Sequence, residues 1–299
     1  AEGDAFLGRT IQIKNKNLFH FGTTSYLGLE QDFRLKEAAI DAINKYGTQF
    51  PLSKTYISHP LYKTLEEQIL QPVPDPTEMH LQWKEAQKRL ENDLEYKRLF
   101  VKAFGTQFID STYVAKAIAQ FLRTMISANS KYDVMYKYAN NMQLTSSEYQ
   151  IYQTVSIQEW AGYDLFQSLN GADCFHCHNG ALMQVQRYSN NGLDATFTDL
   201  GRGAITGNSL DNGTFKIPSL RNIEYTAPYM HDGRFNTLDE VINHYSHQIK
   251  ISPTIDPMIE FAFQGGVQLD ANEKSLLKAF LLTMTDHSFF TNPAFSDPN

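Results

Sequence analysis

The apolar residues follow a helical spacing over most of the chain, and only the N-terminal stretch departs from it. Residues 11–29 are rich in β-branched and aromatic side chains interrupted by glycine, which predicts short strands. From Phe33 onward the spacing becomes helical, with Asp32 placed as an N-cap and Gly47 as the stop. The sequence therefore predicts a short α/β piece at the N-terminus.

Beyond the proline-rich stretch 71–79, the pattern predicts helices almost throughout. Residues 185–236 are the exception: they are rich in Gly and Asn and weakly periodic, which indicates irregular structure ordered by a ligand or a function. Three later helices each open with a capping box, in which the cap residue and the acid three positions on satisfy each other's backbone donors. These pairs are Ser156/Glu159, Thr237/Glu240 and Asp270/Glu273.

Composition excludes several classes of protein. A net charge of −7 gives no electrostatic support for nucleic-acid binding, and no run approaches the ~18 apolar residues that a membrane span needs. The chain begins AEGDAFLG, so no signal peptide is visible. Two cysteines among 299 residues exclude a disulfide framework, a four-cysteine zinc site and a four-cysteine iron–sulfur cluster.

Both cysteines lie in one pentapeptide, Cys174-Phe-His-Cys177-His178, which carries the attachment signal for c-type haem. Two thiols one helical turn apart can each reach one vinyl group of the porphyrin, and the adjacent imidazole then points at the iron from the same side. The alternatives are a partial zinc site that includes His176 and a redox dithiol. A thioredoxin-like dithiol needs a βαβ context, which the helical surroundings do not supply. The motif therefore favours one covalent haem c.

The helices around this motif are typical of a c-type cytochrome, a fold in which the first and last helices pack against each other beside the haem. The capped helix 156–169 directly precedes the motif. An amphipathic helix lies near the C-terminus, with its apolar positions at Leu276, Leu277, Phe280, Leu281 and Met284.

Three stretches resemble the bacterial di-haem cytochrome c peroxidase/MauG family. They are LEEQILQPVPDPTEM (65–79), LFQSLNGADCFHCHNG (165–180) and GTFKIPSLRNIEYTAPYMHDGRFNTLDEVINHY (213–245). The resemblance implies two haems, one that receives electrons and one that meets hydrogen peroxide. The motif present here resembles the second of the family's two, which holds the electron-accepting haem.

The same resemblance implies a distal iron ligand after the TLDEV string, where the family has Met or Tyr. Tyr245 occupies that position. A phenolate ligand would stabilise ferric iron and lower the reduction potential. Core packing of Tyr245 on its apolar stripe is one alternative, and ligation by His244, His231 or Met230 is another.

Two further groups of site residues follow from the resemblance. Gln68, Pro72 and Glu78 match the loop over the peroxidatic haem, where the carboxylate moves a proton between the two peroxide oxygens. Without the family match, Glu78 would be read as an early helix residue favoured by the helix dipole. Thr226 and Pro228 match positions whose backbone carbonyls bind calcium between the two haems.

The sequence departs from the family in two respects. Its first CxxCH motif is missing, so one covalent haem c is expected. Residues 21–68 instead resemble the start of the pyridoxal-phosphate α-oxoamine synthases, through the YLGL run, the helix 32–39 and Y-G-T at 46–48. We interpret the chain as a hybrid joined near residue 65. Pyridoxal catalysis is not expected, because the Schiff-base lysine and the large domain around it have no place in residues 70–299.

We therefore expect a mainly α protein: an oxoamine-synthase-like fragment (1–69), a peroxidase-type helical segment (70–153), a c-type cytochrome domain (154–290) and a tail (291–299). The expected function is reduction of hydrogen peroxide with electrons from a small redox protein of the cytochrome c or cupredoxin type. The rivals are a mono-haem electron carrier and an inactive hybrid. The resemblance implies a periplasmic location, although no signal peptide is visible, and it leaves the oligomeric state open.

Overall fold

The computed structural model describes residues 65–76 and 78–296, together with the backbone of three short strands between residues 5 and 19. The chain divides into two compact units, Ala1–Thr124 and Met125–Asn299. The predicted helix after Phe33, and almost all of the stretch that resembles the oxoamine synthases, lie outside the described residues.

The N-terminal unit contains a β-meander and, from residue 65 on, four helices among its described residues. The antiparallel strands are β1 (Ala5–Leu7), β2 (Thr10–Ile13) and β3 (Lys16–Phe19). The helices are α1 (Leu65–Ile69), α2 (Trp83–Asn92), α3 (Leu94–Phe104) and α4 (Ser111–Thr124). Arg123 on α4 donates to Glu66 on α1 at 2.6 Å, which ties the ends of this helical set together.

The C-terminal unit is also mainly helical, as predicted. Its helices are α5 (Lys131–Ala139), α6 (Ser146–Tyr152), α7 (Ile157–Gln167), α8 (Arg202–Thr206), α9 (Leu238–His247), α10 (Ala271–Leu282) and α11 (His287–Phe290). The two-residue strands β4 (Tyr188–Ser189) and β5 (Phe215–Lys216) pair antiparallel within the irregular segment. In this structure α5 and α6 fold with the later helices rather than with the segment 70–153 to which we assigned them.

The three predicted capping boxes all form, at Ser156, Thr237 and Asp270. Two more open α5 and α6, at Ser130 and Thr145. No helix within 65–76 or 78–296 combines the length and apolarity needed to cross a membrane.

Helices α7 and α10 pack along each other, as expected of a c-type cytochrome fold. Their closest approach is at Gly162, where a Cβ atom would lie only 2.1 Å from the carbonyl oxygen of Leu276. Fully buried Phe166 and Phe280 stack edge to face beside this contact, with ring centroids 5.1 Å apart. Because Gly162 has no side chain, the two helices can approach closely and form one wall of the core.

Replacing Gly162 with alanine is expected to destabilise the protein by about 1–3 kcal/mol, because the helices must separate to admit the methyl group. The gain in helix propensity, about 0.5–1 kcal/mol, offsets only part of this cost. Urea unfolding measures the difference, and Asp164→Ala, at an exposed position of the same helix, is the control. Equal stability of Gly162→Ala and the unsubstituted protein would contradict the packing described.

Asp286 connects the two ends of this unit. Its carboxylate is fully buried and accepts hydrogen bonds from the backbone N–H groups of Ala128 (2.8 Å) and Asn129 (2.9 Å) and from the hydroxyl of Ser288 (2.6 Å). Burial opposes ionisation, but these hydrogen bonds outweigh it and hold the pKa of Asp286 below its ordinary value of 3.8. The ionised carboxylate therefore stabilises the fold.

The Asp286→Asn protein is expected to be about 1–3 kcal/mol less stable than the unsubstituted protein at pH 7. Because the pKa is depressed in the folded state, this contribution is present above the unfolded-state pKa and is lost as pH falls through the folded-state pKa. Urea unfolding at pH 7 and at about pH 3 should show the difference shrinking at acid pH. A difference of the same size at both values would mean that the charge of Asp286 is not its source.

Candidate haem site

The Cys-x-x-Cys-His segment forms a hydrogen-bonded turn that begins seven residues after the end of α7. The backbone N–H groups of Cys177 and His178 both donate to the carbonyl of Cys174, at 3.2 and 3.0 Å. The N–H of Cys174 donates to the carbonyl of Phe166, which fixes the turn to the end of α7. This local hydrogen bonding gives the two thiols and the imidazole the spacing that the sequence predicts.

These three side chains line a cavity of about 590 Å³ in the C-terminal unit. That volume lies within the range of about 300–1,000 Å³ found for ligand and cofactor pockets. The walls are predominantly apolar and come from α7, α9 and α10; they include Phe166, Val241, Ile242, Leu277 and Leu281. A large apolar cavity with two thiols and an imidazole at its edge fits a covalently attached porphyrin.

His178 is prepared to bind a metal as a neutral ligand. Its Nδ1 lies 3.2 Å from the carbonyl oxygen of Met183, and because a carbonyl only accepts, Nδ1 carries the proton in this contact. The ring also contacts the carbonyl of Pro218, and with Nδ1 protonated, Nε2 is the nitrogen that could bind a metal. Burial lowers the pKa of His178 to about 4, so the imidazole is neutral near neutral pH.

The two thiols have the character of structural rather than redox cysteines. Burial raises the pKa of Cys174 to about 12. Burial also raises the pKa of Cys177, although a hydrogen bond from Arg187, at 3.4 Å, opposes the shift. Redox-active dithiols need a thiol with a lowered pKa, which neither residue has here. The geometry therefore gives no support to the redox alternative.

The zinc alternative gains no support either. Within the described parts of the chain, no three side chains of His, Cys, Asp or Glu come together in a way that could hold a metal ion. His176 instead turns its Nδ1 toward the carboxylate of Asp173, at 2.9 Å.

Tyr245 lines the same cavity, one turn along α9 from Val241. Its hydroxyl oxygen accepts a hydrogen bond from Nδ2 of Asn191 at 3.2 Å. Burial raises the pKa of Tyr245 to about 12, and the hydrogen bond from Asn191 opposes that shift. The structure thus places the distal candidate at the cavity with a donor directed at its oxygen.

The alternatives to Tyr245 separate in the structure. Met230 and His231 both line the cavity, and the ring of His231 stacks on Phe215 with centroids 3.8 Å apart. His244 does not line it: its Nε2 lies 3.3 Å from the carbonyl oxygen of Asn191. His244 is therefore the weakest of the three as an iron ligand.

The remaining predicted residues fall in two places. Thr226 and Pro228 belong to the cavity lining, and their calcium role stays a prediction. Gln68 lies on α1 and Glu78 in the turn before α2, both exposed and both in the N-terminal unit. Glu78 is therefore not the early helix residue that the local sequence alone suggests.

Sequence reasoning missed Asn191 and the carbonyl of Met183, which contact the two candidate ligands. Asn191 lies in the aperiodic segment 185–236, and no local motif marks it. Met183 lies only six residues after Cys177. The contact with His178 is made by its backbone carbonyl, which any residue type could supply.

Comparisons with known proteins indicate the family to which this chain belongs. The family model described as di-haem cytochrome c peroxidase matches residues 16–141. Cytochrome c551 peroxidase of Nitrosomonas europaea is 30% identical over 242 residues, which cover 79% of this chain and 64% of that protein. The methylamine utilization protein MauG of Methylophilus methylotrophus is 32% identical over 187 residues, covering 62% of this chain and 52% of that protein.

A solved structure extends the comparison to three dimensions. The crystal structure of a MauG-like protein associated with microbial copper homeostasis is 33% identical, with a TM-score of 0.63. The match covers 79% of this chain and 72% of that one. The chain spans between about half and two thirds of the length of the curated relatives named above.

The comparisons also correct the interpretation of the N-terminal region. The family model begins at residue 16 and covers residues 21–68, so the peroxidase resemblance does not end at residue 65. The comparisons do not support a hybrid with a pyridoxal-phosphate α-oxoamine synthase. The chain belongs to the di-haem cytochrome c peroxidase/MauG family.

Proposed function

We propose that this chain is a haem-dependent oxidoreductase that reduces hydrogen peroxide to water with electrons from a small redox protein, of the cytochrome c or cupredoxin type. The observation that carries the proposal is the apolar cavity lined by Cys174, Cys177, His178 and Tyr245. Reduction of one peroxide consumes two electrons and two protons and yields two waters. The relatives named as peroxidases support the substrate class.

The cavity residues have distinct roles in this proposal. Cys174 and Cys177 would tether one haem c through thioethers, and His178 would bind its iron through Nε2, with the carbonyl of Met183 in contact with Nδ1. Tyr245 would supply a second ligand to the iron, and Asn191 donates a hydrogen bond to its oxygen. The haem would supply the redox chemistry, while the apolar walls would exclude water from it and the side chains that bind its iron would set its reduction potential.

Residues of the N-terminal unit supply the acid–base part of the proposal. The resemblance supports Glu78 as the general acid and base that would move a proton between the two peroxide oxygens, with Gln68 assisting it. Glu78 is exposed, so its carboxylate is accessible from solvent. Thr226 and Pro228 offer backbone carbonyls to calcium, an ion that prefers oxygen ligands. The proposed location is the periplasm, where peroxidases of this type attach haem to CxxCH motifs.

A second candidate is a mono-haem electron carrier without peroxide turnover. One observation favours it: with two cysteines, these 299 residues can tether only one haem by this motif. If both His178 and Tyr245 bound the iron, peroxide could not reach it, and the haem would only carry electrons.

Peroxide-dependent oxidation of a reduced cytochrome c, measured on haem-loaded protein, separates the two candidates. Turnover well above that of free haem, lowered at least about 100-fold by Glu78→Gln, is expected of the peroxidase. Glu95→Gln, which alters an exposed carboxylate paired with Arg98 elsewhere in the same unit, is the control. Turnover no greater than that of free haem would favour the carrier.

A further inference from the structure

Asn191 contacts two side chains that could each bind a haem iron. Its single amide nitrogen, Nδ2, lies 3.2 Å from the hydroxyl oxygen of Tyr245 and 3.3 Å from Sδ of Met230. A side-chain amide carries two N–H donors on that nitrogen, so both contacts can form at once. All three residues line the apolar cavity.

The chemistry of the two acceptors differs. Accepting an N–H stabilises the phenolate form of a tyrosine, which is the form that binds ferric iron. Accepting an N–H occupies a lone pair of a thioether sulfur, the atom through which a methionine binds iron. One amide therefore favours Tyr245 as a ligand and keeps the sulfur of Met230 engaged elsewhere.

Asn191 is held firmly enough for this role. Its own carbonyl oxygen lies 3.3 Å from Nε2 of His244, so both its main chain and its side chain contact helix α9. The preceding residue, Asn190, is buried and donates to Ser252 at 2.8 Å, while its side-chain oxygen accepts from Gly192 at 3.0 Å. These contacts leave the amide of Asn191 with a defined direction.

The backbone also holds Met230 in an uncommon conformation. Its φ is +74°, in the left-handed region that residues other than glycine rarely adopt. The bridge between Tyr229 and Phe235 closes the turn that contains it, with the N–H of Tyr229 donating to Phe235 at 2.7 Å. Strained residues held by their surroundings are frequent at functional sites, and here the turn brings a thioether to the cavity.

We infer that Asn191 is a positioning residue that selects Tyr245 over Met230 as the sixth ligand of the haem iron. The inference rests on the proposed binding of haem by His178 and Tyr245, and it adds a second ligand that becomes available when the amide is lost. Because methionine ligation raises the reduction potential of a haem and phenolate ligation lowers it, the choice sets the potential of the site.

The test compares absorption spectra and reduction potentials of the haem-loaded full chain and its Asn191→Leu variant. Leucine has a similar shape to asparagine but no N–H donor. The expected result is loss of the phenolate-to-iron band, appearance of a sulfur-to-iron band and an upward shift of the reduction potential. In Asn191→Leu/Met230→Leu the sulfur-to-iron band should be absent.

Asn243→Leu is the matched control, since it removes an amide from the same helix as Tyr245, one that accepts from Lys274 at 2.9 Å. Its spectrum and potential should equal those of the unsubstituted protein. An unchanged spectrum for Asn191→Leu, or the same shift in Asn243→Leu, would overturn the role of Asn191.

A second variant decides the matter if Asn191→Leu binds no haem. Asn191→Asp, whose side chain accepts hydrogen bonds but donates none, should show the sulfur-to-iron band, and Asn191→Asp/Met230→Leu should lack it; absence of that band in haem-loaded Asn191→Asp would overturn the inference. Tyr245→Phe tests the ligand itself. If Tyr245→Phe matches the unsubstituted protein, the tyrosine is not a ligand, and the assignment proposed above fails together with the inference. The spectra need neither peroxide nor donor, so a lack of peroxidase turnover does not affect them.

Discussion

Replacing His178 with alanine is expected to lower covalent haem content at least about 10-fold, because the imidazole would hold the haem in the cavity until its vinyl groups bond to Cys174 and Cys177, and the loss of even the outer partner of a metal-bound histidine typically costs 10–100-fold in affinity. His178 lines the cavity, is partly buried, and has Nδ1 in contact with the carbonyl of Met183. The measurement is haem staining and absorption of protein exported from cells that carry the haem-attachment machinery.

The chain provides a matched control in the same pentapeptide. His176 lies outside the required positions of the motif, and its Nδ1 contacts Asp173. His176→Ala should therefore retain its haem. Equal haem content in His178→Ala and the unsubstituted protein would show that His178 does not bind the iron. Equal loss in His178→Ala and His176→Ala would mean that both substitutions disturb the folding of the turn.

The parts of the site that the sequence predicts are those encoded within a few residues. The motif places Cys174, Cys177 and His178 on one turn because its hydrogen bonds span only three and four positions. The capping boxes are likewise local, and all three predicted ones form. The apolar stripe of α9 places Tyr245 at the cavity with Val241, as helical periodicity requires.

The same periodicity accounts for an alternative that the structure disfavours. Adjacent residues of a helix point about 100° apart, so His244 and Tyr245 cannot face the same cavity equally. His244 is buried against the carbonyl of Asn191 instead. A helical wheel alone does not show which of the two side chains faces the cavity, because that depends on how α9 packs against other elements.

What the sequence does not predict depends on contacts between distant parts of the chain. Asn191 meets Tyr245 across 54 residues, and it belongs to a segment without hydrophobic periodicity. The N-terminal resemblance to oxoamine synthases failed for a related reason. It rested on short strings such as YLGL, and such strings constrain a fold weakly in comparison with a match along 126 consecutive residues, 16–141.

Replacing Arg221 with methionine is expected to destabilise the C-terminal unit by about 3–5 kcal/mol, because it leaves the carboxylate of Asp133 buried without its charged partner. Nη1 of Arg221 donates to Asp133 at 3.1 Å, Nη2 donates to the other carboxylate oxygen, and both side chains are close to 90% buried. Nε of Arg221 also donates to the carbonyl of Ala181 at 2.8 Å. The pair thus connects α5 to the loop that follows the haem motif, and urea unfolding measures its loss.

Two variants distinguish this cost from general effects of removing charge. Lys278→Met breaks the more exposed pair with Asp239 in the same unit and should cost no more than about 1 kcal/mol. Arg221→Met combined with Asp133→Asn removes both charges and should recover part of the lost stability, because the remaining amide is cheaper to bury than an unpaired carboxylate. If the double variant is as unstable as the sum of its single substitutions, the two side chains do not interact. The stability of this unit would then depend on Arg221 through its contact with Ala181.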